Sequence, residues 1–348
     1  MGLGALDAAP ARAQASSTGV VYTANEQGHS VSALNLATGQ VKTTPVKIAP
    51  HNLQVSADGR LLLSVGMSIS GGAGHASMRG MSHGQGAKKA RGRLLILDAA
   101  KPSAWGISGV KVGSSPAHVV VDRQNRRAYV TNGGDGTLSV VDIARRKIIR
   151  IIKTGNMPHG LRFSPNGREI YVANTGDGSV SVINVASDKE VKRIPVGKAP
   201  VQVGFTPDGR RAYISLRDAN SVAVVDTARR RKIATVKVGR NPIQVFAAPN
   251  GREIYVANQG NESNPDNKVS VINTTTNRVV ATIVTGKGAH GVVVSSDGKR
   301  VFIANTFADT VSIIDTATHK VLRNVAVGKG PGGITFSGTT FKSAAPPQ

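Results

Sequence analysis

One short pattern recurs along the whole chain: VYTAN (21–25), LLLSVG (61–66), AYVTN (128–132), IYVAN (170–174), AYISL (212–216), IYVAN (254–258) and VFIAN (301–305). Most copies follow a turn of one type, SADGR, RQNRR, SPNGR, TPDGR, APNGR or SSDGK. Each copy is followed by an alternating run such as TLSVVDI (137–143), SVSVINV (179–185) or TVSIIDT (310–316). Another turn and run come next, for example KIIRIIKTG (147–155) or KIATVKVG (232–239). Apolar residues at every second position, bounded by Asn, Asp, Gly and Pro, specify strands joined by tight turns and exclude amphipathic helices.

A unit of about 42 residues holding four short antiparallel strands is a propeller blade. The expected fold is therefore all-β, a seven-bladed β-propeller of four-stranded antiparallel blades over residues 18–340. Residues 20–48 supply only three strands. The missing innermost strand is expected at the far end, in GGITFSG (332–338), so that pairing of the C-terminal strand with the N-terminal blade closes the ring and removes a free edge. An insert at 67–93 interrupts the second unit, and 341–348 reads as a disordered tail. Residues 1–17 read as the remnant of an export signal or a disordered leader, because Ala13-Gln14-Ala15 fits the small-x-small pattern before a signal-peptidase cut. The expected location is periplasmic or secreted. No apolar run approaches the ~18 residues of a membrane span. The chain has no Cys, which excludes disulfides, thiolate metal sites and a cysteine nucleophile.

AYVTN and IYVAN, with SVSVI and the PNGRE-type turn, resemble the YVTN repeats of bacterial periplasmic and surface seven-bladed propellers. The resemblance covers nearly all of the folded region and implies the fold. It implies no single function, because that family includes proposed lactonases, a periplasmic propeller reported to bind single-stranded DNA, and chains of no known activity. Pro158-His159-Gly160 and Ala289-His290-Gly291 also resemble repeats of the streptogramin lyase propellers, although the tryptophan-containing strand motif of that family is not found here.

Blade topology sorts the loops onto two faces. The loop entering the innermost strand and the loop between the second and third strands share the upper face; the other two turns share the lower. Residues that start the inner strands include Pro50-His51, Pro116-Ala117-His118, Pro158-His159, Pro200-Val201-Gln202, Pro242-Ile243-Gln244, Ala289-His290 and Pro331-Gly332. His51, His159 and His290 hold equivalent places, with His118, Gln202 and Gln244 one residue later. The upper mouth is thus expected to be water-filled and lined with histidine. Convergence on one metal looks demanding across a wide ring, because each ligand nitrogen must come within ~2.1 Å of the ion. His75-x-x-Met78-x-x-Met81-x-His83 lies in the insert beside that mouth, and Met157 adjoins Pro158-His159. Thioether and imidazole donors together suit copper, Cu(I) above all. The plain alternative is a flexible Gly/Ser-rich linker.

Lys plus Arg is 44 against 20 acids, a net charge of +24, and the lower turns hold much of the surplus. Arg145, Arg146, Lys147, Arg229, Arg230, Arg231 and Lys232 form the densest runs, with few acids expected between them. Such a face attracts polyanions, single-stranded nucleic acid or anionic surfaces among them. No G-x-S-x-G elbow, phosphate loop, dinucleotide fingerprint or HExxH occurs. Asp135, Asp177, Asp218, Glu262, Asp266 and Asp309 read as turn residues, and no catalytic residue is assigned. The sequence reading is thus an exported, non-catalytic, monomeric propeller that binds a metal ion, copper first, or a small anion at its upper face. Polyanion binding below, a protein partner on either face, and a lactonase or lyase activity are the alternatives.

Overall fold

The computed structural model describes residues 18–69, 91–101 and 109–338. These form seven four-stranded antiparallel sheets, and the only helical turn among the described residues is a 3-10 turn at Arg217–Ala219. No helix there is long and apolar enough to cross a membrane. The inner strands are β4 (Ile48–Val55), β8 (Pro116–Val121), β12 (Pro158–Phe163), β16 (Pro200–Phe205), β20 (Pro242–Ala247), β24 (Ala289–Val294) and β28 (Pro331–Ser337). β28 begins one residue earlier than the sequence suggests. It pairs with β1 (Val20–Asn25) in register from Val20↔Ser337 to Ala24↔Gly333, so the last strand completes the first blade.

The recurring aromatic of each repeat explains the packing. Tyr22, Tyr129, Tyr171, Tyr213, Tyr255 and Phe302 occupy equivalent second-strand positions and are fully buried. Tyr129 and Tyr171 meet Phe163 and Phe205 edge-to-face, with ring centroids 5.5 and 4.9 Å apart. Apolar clusters run from blade to blade. One joins Val180 and Ile194 of the fourth inner-to-outer unit in sequence to Val203, Ile214 and Val225 of the next. Each sheet therefore buries both faces against neighbours, which accounts for the nearly unbroken burial along strands such as VVYTAN.

The Asn that ends most of the repeats is structural. Asn132 Nδ2 donates to Thr137 and Ser139 at 3.0 and 2.9 Å, and Asn174, Asn25 and Asn305 make the corresponding pairs. The loop aspartates act in turns too. Asp135, Asp177 and Asp266 accept the backbone N–H of Ser114, Asn156 and Arg240 at 2.8, 2.8 and 3.0 Å, pinning the loop that leads into the inner strand. The upper rim is thus a set of short, tied loops above the first residues of the channel strands.

Truncation of a fully buried aromatic leaves a cavity between blades. Phe302→Ala is expected to lower unfolding stability by about 3–5 kcal/mol, read from urea titrations of the two proteins.

Candidate functional site

The upper end of the channel is a cavity of ≈ 510 Å³ lined by Glu26, His51, Met157, His159, Arg217 and His290, among others. His118, Gln202 and Gln244 lie at its floor and line a second cavity beneath. The histidines of four blades meet here. Ring centroids lie 5.2 Å apart for His51 and His159, 4.9 Å for His118 and His159, 5.8 Å for His51 and His118, and 6.4 Å for His51 and His290. The mouth is lined with histidine; what is corrected is the expectation that a wide ring makes their convergence demanding, because imidazoles from different blades reach across the channel and fill its waist. β28 lies between β24 and β4 and carries Gly332 at the level of the histidines. A β-carbon there would lie 3.5 Å from His290 Cε1, an ordinary van der Waals distance, so the closing strand packs directly against the His290 ring.

The hydrogen bonds assign the protons. His159 Nδ1 lies 3.3 Å from the Val201 carbonyl oxygen and donates to it, leaving a lone pair on Nε2. That lone pair faces His51 Nε2 at 3.2 Å. His51 Nδ1 in turn donates to Glu26 Oε2 at 3.1 Å. When protonated, His51 donates from both nitrogens, as an imidazolium between a carboxylate and a neutral imidazole. Burial opposes this charge, but attraction to Glu26 and the hydrogen bond outweigh it and raise the His51 pKa above 6.5. Burial alone would lift the Glu26 carboxyl; the His51 charge and hydrogen bond bring it below its ordinary value. Burial, then repulsion from neighbouring imidazoles, keeps His118 and His159 neutral, well below the usual range. Burial pushes His290 down to about 4, and it donates Nδ1–H to the Gly332 carbonyl at 3.0 Å.

His118 differs from its neighbours. Gln202 accepts the Val203 N–H through Oε1 at 2.8 Å, so its amide nitrogen donates to His118 Nδ1 at 3.2 Å. The proton of His118 then sits on Nε2. Ligand atoms of His51, His118 and His159 all lie within 4.8 Å of one another. Two nitrogens on a tetrahedral ion with ~2.05 Å bonds are separated by about 3.3 Å, close to the observed His51–His159 spacing. A proton currently occupies the place between them.

Glu26 is the residue the sequence reading missed. It follows the Asn of the first repeat, and the residues at the same place in other blades, Gly133, Thr175, Arg217, Gln259 and Thr306, line the same cavity. The signal was the variable position next to the fixed Asn. Met157 lies where expected, with a left-handed φ of 52°, a backbone region costly for a residue with a β-carbon. His75, Met78, Met81 and His83 lie outside the described residues.

On the lower face the cations are not bare. Arg145 pairs with Asp142 and Arg229 with Asp226, both at 2.7 Å; Arg230 pairs with Glu169, and Lys232 Nζ donates to the Val196 carbonyl. Arg146, Lys147 and Arg231 complete the lower turns. The expectation of few acids among these residues is corrected, because Asp142 and Asp226, which end third strands, sit three residues before Arg145 and Arg229.

Two family models match parts of the chain: a YNCE-like β-propeller over residues 218–340 and a lactonase, 7-bladed β-propeller over residues 93–197. No curated protein matches the sequence. Solved structures share the fold at low identity. A chain of Kuenenia stuttgartiensis hydrazine synthase is 22% identical with a TM-score of 0.67, covering 82% of this chain and 89% of its own. A functionally unknown protein from Desulfotomaculum acetoxidans is 16% identical with a TM-score of 0.71, covering 92% and 99%. A candidate 6-phosphogluconolactonase from Bacteroides uniformis is 16% identical with a TM-score of 0.69, covering 92% and 100%.

Proton placement in the cluster is directly measurable. In imidazole ¹⁵N spectra of the metal-free protein, one histidine is expected to titrate above 6.5, while His118, His159 and His290 stay neutral at pH 7. Glu26→Gln removes the attraction and leaves only desolvation, so that one titration should move below 6.5.

Proposed function

We propose that this is an exported propeller of the YVTN-repeat kind that binds a divalent transition metal, copper first, at the upper waist of its channel. The observation that carries the reading is the 3.2 Å approach of His51 Nε2 to His159 Nε2, with both outer nitrogens tied to Glu26 and Val201. Such bonds at the outer nitrogens orient metal-binding imidazoles and raise their basicity. His118 is the third donor and must give up its Gln202 bond and turn its ring to present a lone pair. Imidazole donors suit several metals, and among first-row divalent ions copper binds such a site most tightly. Met157 at the same mouth, and Met67 at the place corresponding to Glu26 in its own blade, supply soft donors nearby. The insert that starts there brings His75, Met78, Met81 and His83 and is the proposed route for Cu(I). Ala13-Gln14-Ala15 supports export.

One observation favours a second reading. Glu26, His51 and His159 form a directed proton path beside a cavity large enough for a small sugar lactone, and part of the chain resembles a lactonase model. Hydrolysis of a lactone by metal-free protein, lost in His159→Ala, would establish it in place of metal binding.

Calorimetric titration of metal-stripped protein with Cu(II) is the deciding experiment. A stoichiometric site is expected whose affinity falls at least tenfold in His159→Ala and ~10- to 100-fold in Glu26→Gln. Because the metal displaces a proton from the His51–His159 contact, affinity should rise with pH until His51 is fully deprotonated. Equal affinity in wild type and His159→Ala excludes the site.

A further inference from the structure

Beneath the histidine waist the channel opens into a second cavity of ≈ 660 Å³, rimmed by the lower turns at Ser56–Gly59, Ser295, Ser296 and Gly338. Its lining mixes polar side chains with apolar ones, Leu53, Val120, Phe246 and Val292 among the latter, and no acidic side chain lines it among the described residues. One charged residue does: Arg162, from β12. Its Nε donates to the Val203 carbonyl at 2.9 Å, and its guanidinium carbon lies 4.7 Å from the centre of the Phe246 ring. That bond and that ring fix the plane of the guanidinium while leaving both terminal nitrogens without a protein acceptor. Burial lowers the Arg162 pKa to about 10, and no neighbouring carboxylate offsets it.

A second donor in the same cavity is unused. Gln244 is 4% exposed, and its Oε1 accepts the Val292 N–H at 3.4 Å, which fixes the amide. Its Nε2 has no hydrogen-bond partner. Buried donors are nearly always satisfied, so an orphan beside an uncompensated cation marks a place where an acceptor belongs.

We propose that the lower cavity is a binding site for a small organic monocarboxylate with an apolar body. Arg162 grips the carboxylate through its two terminal nitrogens, Gln244 Nε2 donates to it, and the Leu, Val and Phe walls take the hydrocarbon. The two terminal N–H groups match a carboxylate side-on, the geometry in which arginine binds most strongly. A single cation in a cavity without acids neutralises one negative charge and no more. A phosphate dianion would bring a second charge that no side chain there answers, which selects against it. This site is separate from the histidine cluster and does not rest on metal binding there.

The test uses benzoate as probe, with inorganic phosphate and benzamide as controls, by calorimetry on the full chain. Benzoate is expected to bind at one site per chain. Arg162→Met should weaken it ~30-fold or more, and Gln244→Leu several-fold, the losses of charged and neutral hydrogen bonds respectively. Arg162→Met should also melt at a higher temperature than wild type, because it removes a buried charge that lacks a partner. If Arg162→Met fails to fold, Arg162→Lys keeps the charge without the fork and is expected to bind benzoate ~5- to 10-fold more weakly. Benzamide binding as well as benzoate, phosphate binding more tightly, or unchanged benzoate affinity in the Arg162 variant overturns the proposal.

Discussion

The pairing of β28 with β1 is the constraint on which the rest depends. Without it the first blade has three strands and an open inner edge where the channel wall should be. With it, seven inner strands are held at fixed spacing, and the channel width follows from blade packing. That width lets imidazoles from separate blades touch. Gly332, delivered by the closing strand, accepts the His290 Nδ1–H through its carbonyl oxygen. The residues that finish the fold thus also shape the site.

Electrostatics at the waist follows from a shortage of acids. Four histidines are packed together with one carboxylate, and only the imidazole bonded to Glu26 is charged. The other three accept neutrality as the cost of burial, and their hydrogen bonds to Val201, Gln202 and Gly332 settle which nitrogen keeps the proton. The site therefore mixes one imidazole that holds its second proton more readily than the others with lone pairs of fixed direction. Arg162, one level down, is an opposite case: a permanent cation with no carboxylate to answer it.

The fold was legible because every blade repeats the same local rules. Alternating apolar residues, the terminal Asn and the Asp-Gly or Asn-Gly turns each act within one hairpin, so a reader needs no distant contact to see them. The choice of histidines was legible too, since Pro-His at the head of an inner strand points into the channel in any blade. What failed was distance. No local pattern reports how far His51 stands from His159, 108 positions apart, so the mouth looked wide. Glu26 was hidden because its partner comes from the neighbouring blade, 25 residues on. Arg162 vanished among the cations of a basic chain, although among the described residues it is the one Lys or Arg that lines the lower cavity. On the lower face the pairing of Asp142 with Arg145 was readable from its spacing but was obscured by the net charge.

His118, Gln202 and Gln244 are nearly inaccessible and occupy the level between the two cavities. Among the described residues the two cavities share no lining side chain, so along the axis of this propeller they stand as two chambers, each with its own set of walls. A molecule resting one face against another body would cork one chamber and leave its opposite open, giving the two ends independent access to whatever surrounds them.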